Sequence, residues 1–499
     1  MSSARGMLRS MLIVGGAQAV NICISLVRMK LVALMVGPAG MGLLGIYTSL
    51  QGTAGTLAGL GLGNSGVREI ASNRENPAVL ARVRTVLFLA NFAQGTVAMA
   101  IIWLCRERLA RWLIGDAVYA SEIGLVGIAV LLGLVAASQT ALLQGLRRVG
   151  DLARVTILSG LAATIVGLPC VWLQGEQGLI WFLIVQPATA VLIAHRFTSM
   201  GLDGRRATMG LIDAWHIWKP MATLGSVFML AALGSAVTLL LVRTLITREL
   251  GLQAAGLFSA SWAIAMTYVG FLLGAMGTDY YPRLVEVIHN PDAANRLMND
   301  QMQLALSIGG PTLLALIGGA PWFMQLLYSS EFVGAASMLQ WQSVGNVLKL
   351  ASWPLGFALV AAARSRTYLC TELSWNGLFV AFITVGTVDL GLDAAGIGFA
   401  AAYLAYFAFL IVSVRRLHHF HFEALSISLL VLHLSLSVIV LILAQSSPIT
   451  AASISAVLVL VTGIISLRVV LIKIGSKGKV GILMTRMFNA LRWPVRSKE

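Results

Sequence analysis

Apolar runs of about 20 residues, separated by short polar breaks, follow one another along the whole chain, and that is the length a helix needs to cross a bilayer. The runs are continuous and rich in Leu, Ala and Gly instead of alternating in polarity, so they predict transmembrane helices and not barrel strands. Fourteen spans can be placed, beginning with 11–36 and 43–66 and ending with 425–444 and 450–472. The first span ends at Gly37-Pro38-Ala39-Gly40, a turn that leads directly into the second. Most connections on that side are short. Arg106–Ser121 is longer, and its Leu109, Trp112 and Leu113 predict a short helix lying in the interface. On the other side, Ser199–Pro220 with Trp215 and Trp218, and the amphipathic Asp279–Gln301, are expected to be surface helices or linkers.

The pattern repeats. Leu26-Val27-Arg28 matches Leu241-Val242-Arg243, Ala39-Gly40 matches Ala255-Gly256, and Arg68 matches Arg283. Further on, Arg147-Arg148 lines up with Arg364 and Arg366, and Gly178 with Gly396. The expected architecture is therefore an all-α integral membrane protein with two pseudo-symmetric six-helix lobes, residues 1–200 and 221–418. A cytoplasmic linker at 201–220 joins them, two additional transmembrane helices occupy 419–475, and 476–499 form a basic tail. Both repeats start on the same side of the membrane. Such parallel repeats are common in secondary transporters, which place the substrate between the halves near the midplane.

Composition agrees. Of 499 residues, 58% are hydrophobic and 11% charged, more apolar surface than a soluble chain could bury. The net charge of +15 fits cytoplasmic loops that set topology better than it fits nucleic acid. Arg106, Arg108, Arg111 and Arg248 fall in outer loops and Arg28, Lys30, Arg243 and Lys349 inside spans. With a cytoplasmic N-terminus, all the other cations lie on the inner side, so both termini are expected there. The four cysteines lack zinc or disulfide spacing, and His418, His419 and His421 lack partners for a metal. No phosphate-cradling loop, nucleophile elbow or catalytic cluster is present. The expectation is a non-enzyme with no cofactor, no metal and no nucleic-acid partner.

The ionisable groups inside spans are where function is sought first. Gln18, Asn21, Ser25 and Arg28 are spaced 3, 4 and 3 apart and share one helical face. Lys30 lies about 200° round from Arg28 and is expected to snorkel outward. Gln342, Asn346, Lys349 and Trp353 form a second stripe, and Arg243 closes the seventh span. These residues point to a cationic cavity lined with amides and an aromatic ring. The alternative is interfacial snorkelling or interhelical hydrogen bonding, evenly balanced for Arg243 and less favoured for Arg28 and Lys349. Carboxylates are scarce in the spans. Glu372 is the one within a span, about one turn from its cytoplasmic end, a candidate for ion coupling, and the excess of buried cations points to an anionic cargo.

Val36-Gly-Pro-Ala-Gly-Met-Gly-Leu-Leu-Gly45, following the basic residues of the first helix, resembles the start of the O-antigen and polysaccharide translocases. Leu250-Gly-Leu-Gln-Ala-Ala-Gly-Leu-Phe-Ser-Ala260, Tyr280-Tyr-Pro-Arg-Leu284 and Ser330-Glu-Phe332 extend the resemblance over about residues 1–415. The superfamily it implies is that of multidrug, oligosaccharidyl-lipid and polysaccharide exporters. The implied activity is flipping of an undecaprenyl-pyrophosphate-linked oligosaccharide, an O-antigen or exopolysaccharide unit, across a bacterial inner membrane by alternating access. The implied partners are that substrate, membrane lipids, and polysaccharide polymerase and chain-length proteins. The family's first-helix cation corresponds to Arg28, with Lys30 beside it, and its second-lobe cation to Arg243. Fourteen helices exceed the usual twelve and match the peptidoglycan-precursor flippases of the same superfamily. Multidrug export and a membrane glycosyltransferase or polymerase are the competing readings. The first is disfavoured by the lack of buried carboxylates, the second by the short outer loops.

Overall fold

Glycines with left-handed backbone punctuate the helices of this chain. The computed structural model describes residues 2–199, 209–474 and 488, and among these the regular structure is helical throughout. The first two spans form one assignment, α1 (Ser2–Gly59), broken at Gly37 with φ 61° and ψ −168°. A side chain there would be strained, and Pro38 then restarts the helix from a position where its missing N–H costs nothing. The same device recurs in α8 (Leu211–Val287), broken at Gly251 with φ 86° and ψ 171°. Eleven stretches of the described chain are long and apolar enough to span a membrane. Three of them, of 45, 51 and 56 residues, are double, and dividing these at Gly37, Gly175 and Gly251 gives fourteen. The protein is a multi-pass membrane protein.

Between the breaks lie α2 (Leu62–Ser72), α3 (Pro77–Leu104), α4 (Arg106–Leu113), α5 (Ala120–Gly145), α6 (Val149–Gln174) and α7 (Gly178–Ser199). After α8 come α9 (Pro291–Gly318), α10 (Ala320–Leu327), α11 (Ala336–Ala361), α12 (Ser365–Leu390) and α13 (Asp393–His418), then α14 (Ala424–Ser446) and α15 (Pro448–Ile474). The repeat is visible in lengths and caps. α3 and α9 each have 28 residues, α4 and α10 have 8, and α5, α11, α6 and α12 have 26. Asn76 caps α3 by accepting from the Val79 N–H at 3.2 Å, and Asn290 caps α9 by accepting from the Ala293 N–H at 3.1 Å. Each cap is followed by proline at the first helical position, the favoured combination for starting a helix. Arg147 and Ala363 share a φ of 56° and 55°, and Gly175 and Gly391 one of 58° and 55°.

By internal contacts the chain divides into two compact units, Met1–Ser259 with Leu327–Ser329, and Ala260–Leu326 with Ser330–Glu499. In the first, α5 packs on α2, α3 and α7, and α6 on α1 and α7. Met221, at the start of α8, joins a core of Leu62, Ile70, Leu80, Val83, Leu87 and Leu142, with Trp218 packed against it. The part of the expected linker that is described, 209–220, is thus largely helix docked by an aromatic side chain. Residues 201–208 of that linker, and the basic tail apart from Phe488, lie outside the described residues. The expected interfacial helix is α4, with Ala110 and Leu113 buried and Trp112 exposed. In the second unit, α9 is flanked by α11, α14 and α15, and α13 by α11 and α12.

Candidate functional site

In the first unit the α1 stripe faces inward by degrees: Gln18 is exposed, Asn21 and Ser25 are half-buried, and Arg28 is buried at 8% exposure. The stripe is turned toward α6 and α7. A Cβ on Gly160 would lie 2.6 Å from Asn21 Oδ1, and the Arg28 guanidinium sits 5.5 Å from the centroid of the Phe182 ring. An arginine over a ring face is held by cation–π attraction while keeping its hydrogen-bonding edge available. Arg28 Nε is buried with no hydrogen-bond partner among the described residues. Lys30, two residues on, is half-buried on another face.

Arg243 is engaged differently. Its guanidinium donates to Gly45 O at 2.7 Å, Thr48 Oγ1 at 3.3 Å and Ser49 Oγ at 2.5 Å, tying α8 to α1 beyond the Gly37 break. The two helices can approach this closely because Gly42 and Gly256 have no side chains. A Cβ on Gly256 would overlap the Pro38 carbonyl, and one on Gly42 the Leu252 carbonyl. Arg243 lies eight residues before its glycine break and Arg28 nine before its own, so the two arginines are one residue out of register. One residue is about 100° of helix, which turns them toward different neighbours. Tyr328, just after α10, lies within electrostatic reach of Arg243. Burial pushes its phenol up to about 12, with the cation opposing the shift.

In the second unit the α11 stripe is deeply buried. Gln342 and Asn346 are fully covered; Asn346 donates to Ala265 O at 3.1 Å, while neither polar atom of the Gln342 amide has a partner among the described residues. Half-buried Lys349 points its Nζ at Met266 Sδ, 3.4 Å away, and at the Tyr403 ring, 5.6 Å from its centroid. Trp353 closes the stripe in an aromatic cluster, with ring centroids 5.6 Å from Tyr280 and 4.7 Å from Phe357. Lys349 interacts electrostatically with Glu372 of α12, and Glu372 Oε1 accepts from Tyr406 Oη of α13 at 2.7 Å.

The structure therefore places Lys349 and Glu372 against two neighbouring tyrosines of α13, Tyr403 and Tyr406, whose ring centroids lie 5.8 Å apart, and among the described residues no hydrogen bond joins Arg243 to the other candidates. Two sets of residues come from the structure alone. Tyr403 and Tyr406, three apart on one face of α13, were readable as a pair, but not as partners of a carboxylate more than thirty residues earlier. Asn295, Asn299, Gln303 and Ser307 make a buried stripe on α9 at spacing 4, the first three bonded to the loop before α14 or its first turn. The first unit also has an apolar groove of about 450 Å³ between α1 and α3, lined by Leu57, Val97 and Ile101 among others and suited to hydrocarbon. No three His, Cys, Asp or Glu side chains among the described residues are grouped to hold a metal.

Residues 31–337 match the family described as polysaccharide biosynthesis protein. The chain belongs to that family. It is 26% identical over 392 residues to the lipid III flippase of Escherichia coli (strain K12), covering 76% of this chain and 91% of the relative. Among solved structures, it superposes on the lipid II flippase MurJ in an inward closed conformation with a TM-score of 0.65 at 11% identity, over 92% of this chain and 99% of that one. It superposes on an inward-facing multidrug resistance MATE family transporter of the MOP superfamily with a TM-score of 0.64 at 16% identity, over 80% and 95%. The chain shares the fold of these transporters.

Proposed function

We propose that the protein is a flippase for a lipid-linked oligosaccharide precursor of a cell-surface polysaccharide. The cargo is a polyprenyl-pyrophosphate-linked repeat unit, O-antigen or exopolysaccharide, carried from the cytoplasmic to the periplasmic leaflet of a bacterial inner membrane by alternating access. The observation that carries this reading is the placing of buried Arg28 and half-buried Lys349 inside spans of a polysaccharide-biosynthesis family member, where a cation is expensive unless it has an anion to meet. The named activity of the lipid III flippase supports the class of cargo. Arg28 and Lys349 are the groups assigned to the pyrophosphate, with Gln342, Asn346 and Trp353 offering amide and aromatic contacts of the kind sugars use. Arg243 is assigned to holding α8 on α1.

The driving force can be bounded. Each negative charge moved outward against an inside-negative potential gains about 2.3 kcal/mol per 100 mV. A pyrophosphate head group could thus be driven outward without a separate fuel.

The test is flipping of a defined lipid-linked oligosaccharide in proteoliposomes, read as loss of head-group accessibility to an enzyme added outside. Purified protein is expected to accelerate flipping, and an imposed potential of the right sign to accelerate it further. Equal rates in protein-free vesicles would overturn the reading.

A further inference from the structure

Four polar side chains of the second unit are linked in order across α11, α13 and α12, and hydrogen-bonding capacity is left over along the row. Half-buried Lys349 of α11 has its Nζ 3.4 Å from Met266 Sδ and 5.6 Å from the centroid of the Tyr403 ring. A thioether is a weak acceptor, so the ammonium has strong donors to spare. Tyr403 and Tyr406 follow on α13, their rings edge to face with centroids 5.8 Å apart. Tyr406 Oη donates to Oε1 of half-buried Glu372 on α12 at 2.7 Å. Among the described residues, Glu372 Oε2 makes no hydrogen bond, and neither does the hydroxyl of Tyr403, a residue only 8% exposed.

The two ends of this row ask for different chemistry. Lys349 offers donors and a positive charge, which suit a phosphate oxygen. An ionised carboxylate only accepts, so the free oxygen of Glu372 needs a donor from the ligand. A tyrosine hydroxyl both donates and accepts. The part of the proposed cargo that is rich in O–H donors and carries no charge is a neutral sugar. Its hydroxyls donate to Glu372 Oε2 and accept from Tyr403 Oη. An acidic sugar would instead set two carboxylates side by side, a like-charge contact of the kind that excludes a wrong partner. A carboxylate beside the site of an anion repels it, and an uncharged, hydroxyl-bearing neighbour to that anion removes the conflict.

We propose that Glu372, held by Tyr406 and accompanied by the Tyr403 hydroxyl, determines specificity for the sugar next to the pyrophosphate, selecting a neutral sugar and rejecting an acidic one. Lys349 takes the phosphate, and the tyrosine pair sets the spacing between the two ends. This deepens the flippase reading above and rests on its pyrophosphate-linked saccharide as cargo.

The experiment is calorimetric titration of the full-length protein in detergent with three probes: geranylgeranyl pyrophosphate, and the same pyrophosphate carrying glucose or glucuronate. Wild type is expected to bind the glucose probe about tenfold more tightly than the glucuronate probe. In Glu372→Gln the amide oxygen still accepts from Tyr406, so the packing of α12 on α13 is kept, and the preference is expected to fall to about threefold or less as the glucuronate probe tightens. Tyr403→Phe, which removes one hydroxyl and no ring, is expected to weaken the glucose probe about fivefold. Lys349→Gln is expected to weaken both sugar probes about tenfold and leave their ratio unchanged. Equal Kd values for the two sugar probes in wild type overturn the selection, and binding of geranylgeranyl pyrophosphate in the same protein leaves the flippase reading intact. A preference that survives Glu372→Gln, or a glucose affinity unmoved by Tyr403→Phe, overturns it as well. Failure of wild type to bind geranylgeranyl pyrophosphate would instead remove the anionic cargo on which both readings stand.

Discussion

Arg28 and Arg243 look alike in the sequence, but their surroundings predict opposite behaviour on substitution. Arg243 donates three hydrogen bonds to α1, and Arg243→Ala removes all three, leaving the Ser49 hydroxyl without this donor while the Thr48 hydroxyl still donates to Gly45 O. The expected cost is about 2–4 kcal/mol, read as a lower unfolding temperature in detergent. Arg243→Lys should recover only part of it, because all three bonds are made by Nη1 and the shorter, more strongly hydrated lysine does not place its ammonium at that point. Arg28 has a ring beneath it and a buried Nε without a partner among the described residues, so part of its desolvation cost is left unrepaid. Arg28→Met is therefore expected to unfold at the same temperature or a higher one, while flipping falls at least tenfold. A variant as unstable as Arg243→Ala would show that Arg28 is structural. Spacing alone could not separate the two, since the distinction comes from a one-residue difference in register to the glycine breaks. Lys349 and Glu372 were each legible as unusual. Their surroundings were not, because the tyrosines beside them, Tyr403 and Tyr406, come from a third helix, α13, packed on α11 and α12.

At the scale of helices, much more was legible, because starts and stops are local chemistry. The turn at Gly37-Pro38 is read directly from residue type, and the Asn-Pro pairs at 76–77 and 290–291, which the structure uses as helix starts, are local signals of the same kind. Gly251 should accordingly resist replacement. Gly251→Ala forces a Cβ into φ 86° and is expected to cost about 1–3 kcal/mol, measurable by thermal unfolding, although open space surrounds it. What stayed hidden was the purpose of the α9 amides. Asn299 donates to Asn295 O and His421 O, and accepts from the Glu423 N–H and the Ser426 hydroxyl, fixing the strand of chain that leads into α14. Asn299→Ala is expected to lower stability by about 2–3 kcal/mol by leaving buried partners unpaired. Proteolysis between α13 and α14 should become faster in step, and an unchanged cleavage rate would mean that the loop is held by something else.

For the whole molecule, the question is why the chain needs two helices beyond the repeat. The repeat itself supplies a comparison. Asn295, Asn299, Gln303 and Ser307 on α9 stand where α3 has Ala81, Thr85, Leu89 and Ala93, of which Leu89 is 53% exposed. The α3 face is suited to lipid, and the α9 face is not, since amides facing hydrocarbon without partners are costly. In the second unit that face is covered. Gln303 donates to Glu423 and Ser426, the His433 ring rests against Gly310, Ser455 donates to Leu314 O at 2.7 Å, and Lys473 pairs with Asp300. The terminal pair is thus demanded by the sequence of α9. A chain ending after His419 should insert with the same number of preceding spans, yet unfold at a lower temperature and aggregate. Replacing Asn295→Ala, Asn299→Thr, Gln303→Leu and Ser307→Ala in that shortened chain gives α9 the face of α3, and should restore a monodisperse, stable protein. If the shortened chain is stable without these changes, the amides find other partners. If the four changes leave it aggregated, α14 and α15 do more than cover α9, and their remaining role lies in transport.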